Sequence, residues 1–232
     1  MNSLYLISIA LVLVSAFQSC SQKETDIQED TYELVEIFAD STEIGNTGLH
    51  KVELAKYINT EKDSSFITMK LFMKKNNNWL LVQNDTIPSN SLTKLNPEIK
   101  DYNSDGLQDL IFCSDIAANL ANAEYTILLF MKNSNRLEPI GKGWNMTYSE
   151  TLKMFREKYI SSTTYSRFFK IQGDSLTKVF EIDLAPTHEY ITEFGDDGKV
   201  IKADSTFLKS ADETLPAVKH WIREWAIKDT LY

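Results

Sequence analysis

The chain has 232 residues, of which 33 are acidic and 24 are lysine or arginine, so its formal net charge is −9. This acidic balance argues against nucleic acid or an anionic surface as a partner. The chain contains only Cys20 and Cys113, so an intramolecular disulfide is also excluded if Cys20 carries a lipid, as expected below.

The N-terminal segment has the features of an export signal. Leu4 to Phe17 is an uninterrupted apolar run, which is typical of a signal peptide and too short for a membrane span. It ends at Ser19-Cys20, followed by polar residues. This boundary resembles a bacterial lipobox, which implies a signal peptide over residues 1–19 and lipidation, including palmitate, at Cys20. The alternative is an ordinary signal peptide with an incidental cysteine.

Residues 20–30 are polar and acidic and predict a flexible tether. The resemblance therefore implies an outer-membrane lipoprotein on the periplasmic or cell-surface side, attached through Cys20. Lys23, Glu24 and Asp26 partly resemble a surface-export signal, and the alternative is a solubilising linker. Residues 31–232 are enough for a single domain.

The first half of this domain alternates apolar and polar residues with a period of two. Such segments, rich in β-branched and aromatic residues and separated by turn formers, predict antiparallel hairpins. They cover residues 31–39, 49–58, 65–75 and 78–84. Residues 124–132 are apolar over six positions, which predicts a central strand buried on both faces. The segment before it is predicted to be a loop near the metal described below, or a short helix.

In the second half, residues 148–159 fit a short amphipathic helix or an irregular strand connection. Two further hairpins are predicted, over residues 163–184 and 188–204. A C-terminal helix is predicted from about residue 213, with Val218, Trp221, Ile222 and Trp225 on one stripe. The fold class is therefore mainly β, an antiparallel meander of hairpins forming a sandwich or a partial propeller, with one calcium loop and a C-terminal helix.

The most specific pattern is KDYNSDGLQDLIF, residues 100–112. Oxygen-bearing side chains at alternate positions, with a glycine for the sharp turn, are what a short loop needs to wrap Ca²⁺. The predicted ligands are the side chains of Asp101, Asn103, Asp105 and Asp109 and a carbonyl near Leu107, with water. Position 12 is Phe112 rather than the glutamate of an EF-hand, so we expect the loop to open a buried strand.

The DxNxDGxxDL pattern, a long apolar strand with Tyr125 and a later GDSLTKV turn resemble the FG-GAP or VCBS-like calcium proteins. More narrowly, the chain resembles small exported proteins with one such loop, some of which inhibit lysozyme-like peptidoglycan hydrolases. The resemblance runs from about Leu49 to Leu184. It implies Ca²⁺ as cofactor and a binding or inhibitor module as function, and a basic hydrolase would suit the acidic charge. The motif occurs once, so a complete propeller is not expected.

Catalytic motifs are missing from the sequence. His50, His188 and His220 are far apart, and no metalloprotease, nucleophile-elbow or phosphate-loop pattern is present. We therefore predict a non-enzyme. The alternative is a glycan-acting hydrolase with acidic catalysts or a surface glycan-binding protein.

Overall fold

The computed structural model describes residues 31–118, 120–161, 164–184 and 188–207. These residues form fourteen β-strands within one compact unit, Tyr32–Tyr232. The strands are β1 Glu33–Asp40, β2 His50–Asn59, β3 Ser64–Lys75, β4 Asn78–Ser89, β5 Glu98–Lys100, β6 Asp109–Ile116, β7 Ala123–Met131, β8 Arg136–Trp144, β9 Thr147–Ser149, β10 Met154–Tyr159, β11 Thr164–Gln172, β12 Ser175–Leu184, β13 His188–Phe194 and β14 Val200–Phe207. The described residues include no helix long and apolar enough to cross a membrane.

The strands form three antiparallel sheets in which neighbours in space are neighbours in sequence. The first sheet contains β1 to β4, the central sheet β5 to β8 and the third sheet β9 to β14. The hairpin turns use residues that accept a left-handed backbone: Asn76 and Asn77 join β3 to β4 with φ of 51° and 63°. The mainly β class predicted from the sequence is confirmed.

The central sheet is buried on both faces. Successive side chains of a strand point to opposite faces, and in β6 and β7 both sets are apolar. One set packs on the first sheet, with Leu110, Phe112, Leu128 and Phe130 against Val52, Leu54, Ile67, Met69 and Leu71. The other set packs on the third sheet, with Ile111, Ile127 and Leu129 against Phe155, Phe169, Ile171 and Leu176. The three sheets therefore form three layers, and the predicted double burial of the apolar strand at residues 124–132 is confirmed.

Two local alternatives are decided by the structure. Residues 148–159 form β9, a turn and β10 instead of a helix, because Lys153 adopts a φ of 51° that no continuous α-helix contains. The segment before β7 is a loop that runs from Ala117 to Asn122 where it is described. It follows the far end of β6, roughly 24 Å from the Asp-rich loop by the rise of a strand, so the expected position near the metal is wrong. The predicted C-terminal helix, the tether and Cys20 lie outside the described residues.

Candidate metal centre

The Asp-rich loop, residues 101–108, connects β5 to β6 and closes a hairpin whose last pair is Lys100 with Asp109. Two of its residues have a left-handed backbone, Ser104 with φ of 62° and Gly106 with φ of 86°. A Cβ at Gly106 would meet nothing within 4 Å, so the need for glycine there is conformational rather than steric. The predicted role of Gly106 as the turn residue agrees with this geometry.

The exposed polar side chains of the loop are directed at its own backbone. The two carboxylate oxygens of Asp101 accept hydrogen bonds from the N–H groups of Asp105 (3.1 Å) and Gly106 (2.9 Å). Asn103 Oδ1 also accepts from Asp105 N, at 3.1 Å, while its amide nitrogen donates to Asp105 Oδ2 at 3.1 Å. Leu107 N donates to Asp105 Oδ1 at 2.8 Å. These bonds hold Asp101, Asn103 and Asp105 around one tight turn.

Asp109 has a different setting, because its side chain is fully buried. One carboxylate oxygen accepts a hydrogen bond from Tyr102 N (2.9 Å) and the other from Phe130 N (2.8 Å). Asp109 therefore ties the start of the loop to β7. Burial raises the pKa of Asp109 to about 7, against the lowering effect of these two hydrogen bonds, and the carboxylates of Asp105 and Asp101 add to the increase.

The loop is also attached to the third sheet through an aromatic contact. The ring of Tyr102 is buried and lies 5.0 Å from Tyr148 and 5.1 Å from Phe155 between ring centroids. Tyr148 donates a hydrogen bond from its hydroxyl to Tyr102 O at 3.1 Å. Beside it, Lys100 forms an ion pair with Glu150 in the turn between β9 and β10. Local sequence patterns give no signal for these supports, because the partners lie about fifty residues away.

A second attachment joins the end of the loop to the β1–β2 connection. Gly45 and Gln108 exchange two backbone hydrogen bonds, each 2.9 Å long. An added Cβ at Gly45 would lie 2.7 Å from the ring of Phe130, so only glycine fits this crossing. The imidazole of His50 packs against the same ring at a tilt of 58°, with a centroid distance of 4.6 Å, and its Nδ1 accepts a hydrogen bond from Asn46 N at 3.1 Å.

The donor set suits a hard cation. Asp101, Asn103 and Asp105 supply carboxylate and amide oxygens, each with lone pairs left after the hydrogen bonds above. None of the ion pairs found among the described residues includes Asp101, Asp105 or Asp109, although Lys153 lies close enough to Asp101 for their charges to interact. In the described part of the chain, no three His, Cys, Asp or Glu side chains are already gathered closely enough to hold a metal ion. An ion would therefore have to draw these side chains together, with Asp109 buried behind them.

The other titratable candidates have local roles. His50 is 3% exposed and Cys113 is 3% exposed, and burial lowers the pKa of the imidazole and raises that of the thiol. Buried Glu157 accepts a hydrogen bond from Trp144 N at 3.1 Å and lies 3.6 Å from the guanidinium of Arg167. His220 and the side chain of His188 lie outside the described part.

No family model and no curated protein matches the chain. Among solved structures, the chain is similar to a Xanthomonas Type IV secretion system related protein, with a TM-score of 0.42 and 10% sequence identity. The match covers 77% of this chain and 95% of that one. A similarity of this size supports no inference about function.

Proposed function

We propose that the chain is an envelope-anchored calcium-binding lipoprotein that acts as a binding or inhibitor module. The observation that carries the proposal is the Asp-rich loop together with Asp109: residues 101–109 hold three acidic side chains and one amide, and no ion pair found among the described residues includes these acids. Like charges held this close repel each other, and a bound Ca²⁺ relieves that repulsion.

In this proposal Asp101, Asn103 and Asp105 hold the ion through their side chains and Leu107 through its carbonyl. Asp109 completes the site from behind. Its bonds to Tyr102 N and Phe130 N keep the loop attached to β7. Calcium supplies positive charge at the centre of the loop, and the chain's own residues transmit the resulting order to β7 through Asp109 and to the third sheet through Tyr102.

The proposed partner is a basic protein of the lysozyme-like hydrolase class. Two observations support this choice: the net charge of −9, which steers a basic partner towards the chain, and the sequence resemblance to exported hydrolase inhibitors. Lipidation at Cys20 would hold the domain in the envelope, where such hydrolases act. The chain itself is proposed to have no catalytic activity.

Binding to a panel of lysozyme-like hydrolases, measured with Ca²⁺ and then with chelator, tests this function. We expect calcium-dependent binding that weakens as salt increases. Asp105→Asn should weaken it, whereas Asp174→Asn, at an exposed turn remote from the loop in sequence, should leave it unchanged. Release of products from glycan substrates would contradict the proposal and favour a hydrolase. Absence of any interaction with the whole panel would refute the proposed partner class.

A further inference from the structure

The outer face of the first sheet, defined as the side turned away from the central sheet, exposes large apolar side chains. Leu34 and Ile37 on β1 are 48% and 64% exposed, and Leu81 on β4 is 52% exposed. Leu34 pairs with Tyr57 and Ile37 with Ala55, whose side chains alternate with the buried ones of β2. Leu81 lies on the same face, because it pairs with Phe72, which in turn pairs with Lys51 of β2. An exposed apolar face of this kind marks an interaction surface.

Aromatic side chains extend this face across the sheet. Tyr57 stacks on Phe66 with a centroid distance of 5.1 Å, and Tyr32 contacts Phe66 edge-on at 4.9 Å. Phe66 pairs with Pro88 on β4, which adds a further apolar position. Thr68 and Thr86 separate this end of the face from Phe72, Trp79 and Leu81 at the other end.

Positive charge is concentrated on the same face, in spite of the acidic chain. Lys51 lies 4.3 Å from the centroid of the Phe72 ring, and Lys74 lies 5.7 Å from that of Trp79. Lys70 of β3 pairs with Glu53 of β2 and therefore belongs to this face as well. Three lysines against Glu53 leave the face positive. The net charge of the chain therefore does not describe this surface, where Glu53, paired with Lys51 at 2.7 Å, is the only acidic residue among the paired rows of the outer face.

Aliphatic tips, tryptophan and lysine on one surface are the composition that binds the boundary between lipid headgroups and acyl chains. A lysine near such a surface is attracted by anionic lipids. We propose that the outer face of the first sheet rests on an anionic lipid surface. The third sheet, on the opposite side of the central sheet, would then face away from the membrane.

Because the predicted tether would keep the domain beside the bilayer, even a weak contact between the outer face and lipid would hold that face on the membrane. Twelve residues, Ser21 to Tyr32, lie between Cys20 and the start of β1 at Glu33, so this segment, fully extended, spans at most about 45 Å. A lipid at Cys20 would hold the face at a high effective concentration beside the bilayer. The high effective concentration depends on the proposed anchoring at Cys20, whereas the composition of the face is independent of it.

The test uses the chain from Ser21 to Tyr232, which carries no lipid and contains the whole compact unit Tyr32–Tyr232. Sedimentation with vesicles of phosphatidylglycerol and phosphatidylethanolamine should show binding, and phosphatidylcholine vesicles should bind more weakly. Ile37→Ser should lower the partition coefficient about tenfold. The matched control is Ile201→Ser, since Ile201 on β14 is 67% exposed and lies on another sheet. It should leave binding unchanged.

A second pair of variants examines the charges. Lys70→Gln with Lys74→Gln should lower binding to anionic vesicles about twentyfold, and Lys132→Gln with Lys158→Gln should not. Equal effects of Ile37→Ser and Ile201→Ser would overturn the proposal, as would sedimentation of the protein with neither kind of vesicle. A dimer that dissociates on Ile37→Ser would overturn it too, by showing a second copy on this face. Because the tested chain lacks Cys20, none of these outcomes would argue against anchoring at Cys20.

Discussion

Replacing Asp109 with asparagine tests whether a buried carboxylate organises the Asp-rich loop. In chelator, burial raises the pKa of Asp109 from 3.8 to about 7 in the folded protein. The folded state then binds more protons than the unfolded state between these two values. Stability therefore falls as the pH rises from about 4 to about 7, and it stays reduced above 7. A difference of about 3 pKa units corresponds to about 4 kcal/mol of unfolding free energy.

The side chain of the Asp109→Asn variant does not titrate, but it forms poorer hydrogen bonds with the backbone N–H groups. Both oxygens of Asp109 accept N–H donors, and the NH₂ group of asparagine accepts none. At pH 5 the variant should be less stable than the wild type by about 1–3 kcal/mol. At pH 8 the wild type carries the cost of the buried charge, so the variant should be more stable by a similar amount.

Urea unfolding in chelator, followed by tryptophan fluorescence from pH 5 to pH 8, measures this crossover. Asp40→Asn is the control. Burial tends to raise the pKa of Asp40, but hydrogen bonds from the N–H groups of Ile44, Glu43 and Thr42 outweigh it and lower that pKa. Its stabilisation is lost only as the pH falls through the acidic range, so the effect of Asp40→Asn should be constant from pH 5 to pH 8. A constant effect of Asp109→Asn as well would refute the reasoning.

Three further changes have defined outcomes. Burial lowers the pKa of His50 below 6.5, so its contribution to stability should be lost as the pH falls below about 6.5. Because Asp109 titrates with the opposite sign, the variant is compared with the wild type: the melting temperature at pH 7.5 minus that at pH 5.5 should be lower for His50→Gln than for the wild type. Gly45→Ala should lower the unfolding free energy by about 2–4 kcal/mol in urea titrations, because the new Cβ meets Phe130. Gly48→Ala, also at positive φ but with nothing within 4 Å, should cost only about 1 kcal/mol, and equal losses would exclude the steric account. Cys20→Ala should move the processed protein from the detergent phase to the aqueous phase, and retention in detergent would show that Cys20 is not the anchor.

The hairpins were predictable because their signals are local. β2, β3 and β12 are rich in β-branched and aromatic residues and end at turn formers, and the structure places them within about one residue of the predicted bounds. β8 was missed, because Pro139 and two glycines hide its pattern. The absence of a Cβ at Gly141 matters for a distant contact, because a Cβ there would lie 2.7 Å from a terminal methyl carbon of Leu176 on the third sheet, which would have to shift. Packing between sheets decides such positions, and no local pattern encodes it.

In the candidate metal centre, too, some features could be predicted from the sequence and others could not. The spacing of Asp101, Asn103, Asp105 and Gly106 was sufficient to predict a tight loop that opens a buried strand. The burial of Asp109 and its bond to Phe130 N could not be predicted, since the donor lies 21 residues further along the chain. The aromatic support from Tyr148 is equally remote. The identity of the ligands and of the ion stays a prediction.

Thermal unfolding of the chain in chelator and in excess Ca²⁺ tests the central claim most directly. Extracellular modules bind Ca²⁺ with a Kd of about 10⁻⁴ to 10⁻³ M, and at ten times such a Kd the stabilisation is about 1.4 kcal/mol. For a domain of this size, calcium should raise the melting temperature by about 3–6 °C. Asp105→Ala should abolish this increase, while its melting temperature in chelator stays near or above that of the wild type, because one repelling charge is gone. Equal melting temperatures of the wild type in chelator and in excess calcium would contradict the calcium site.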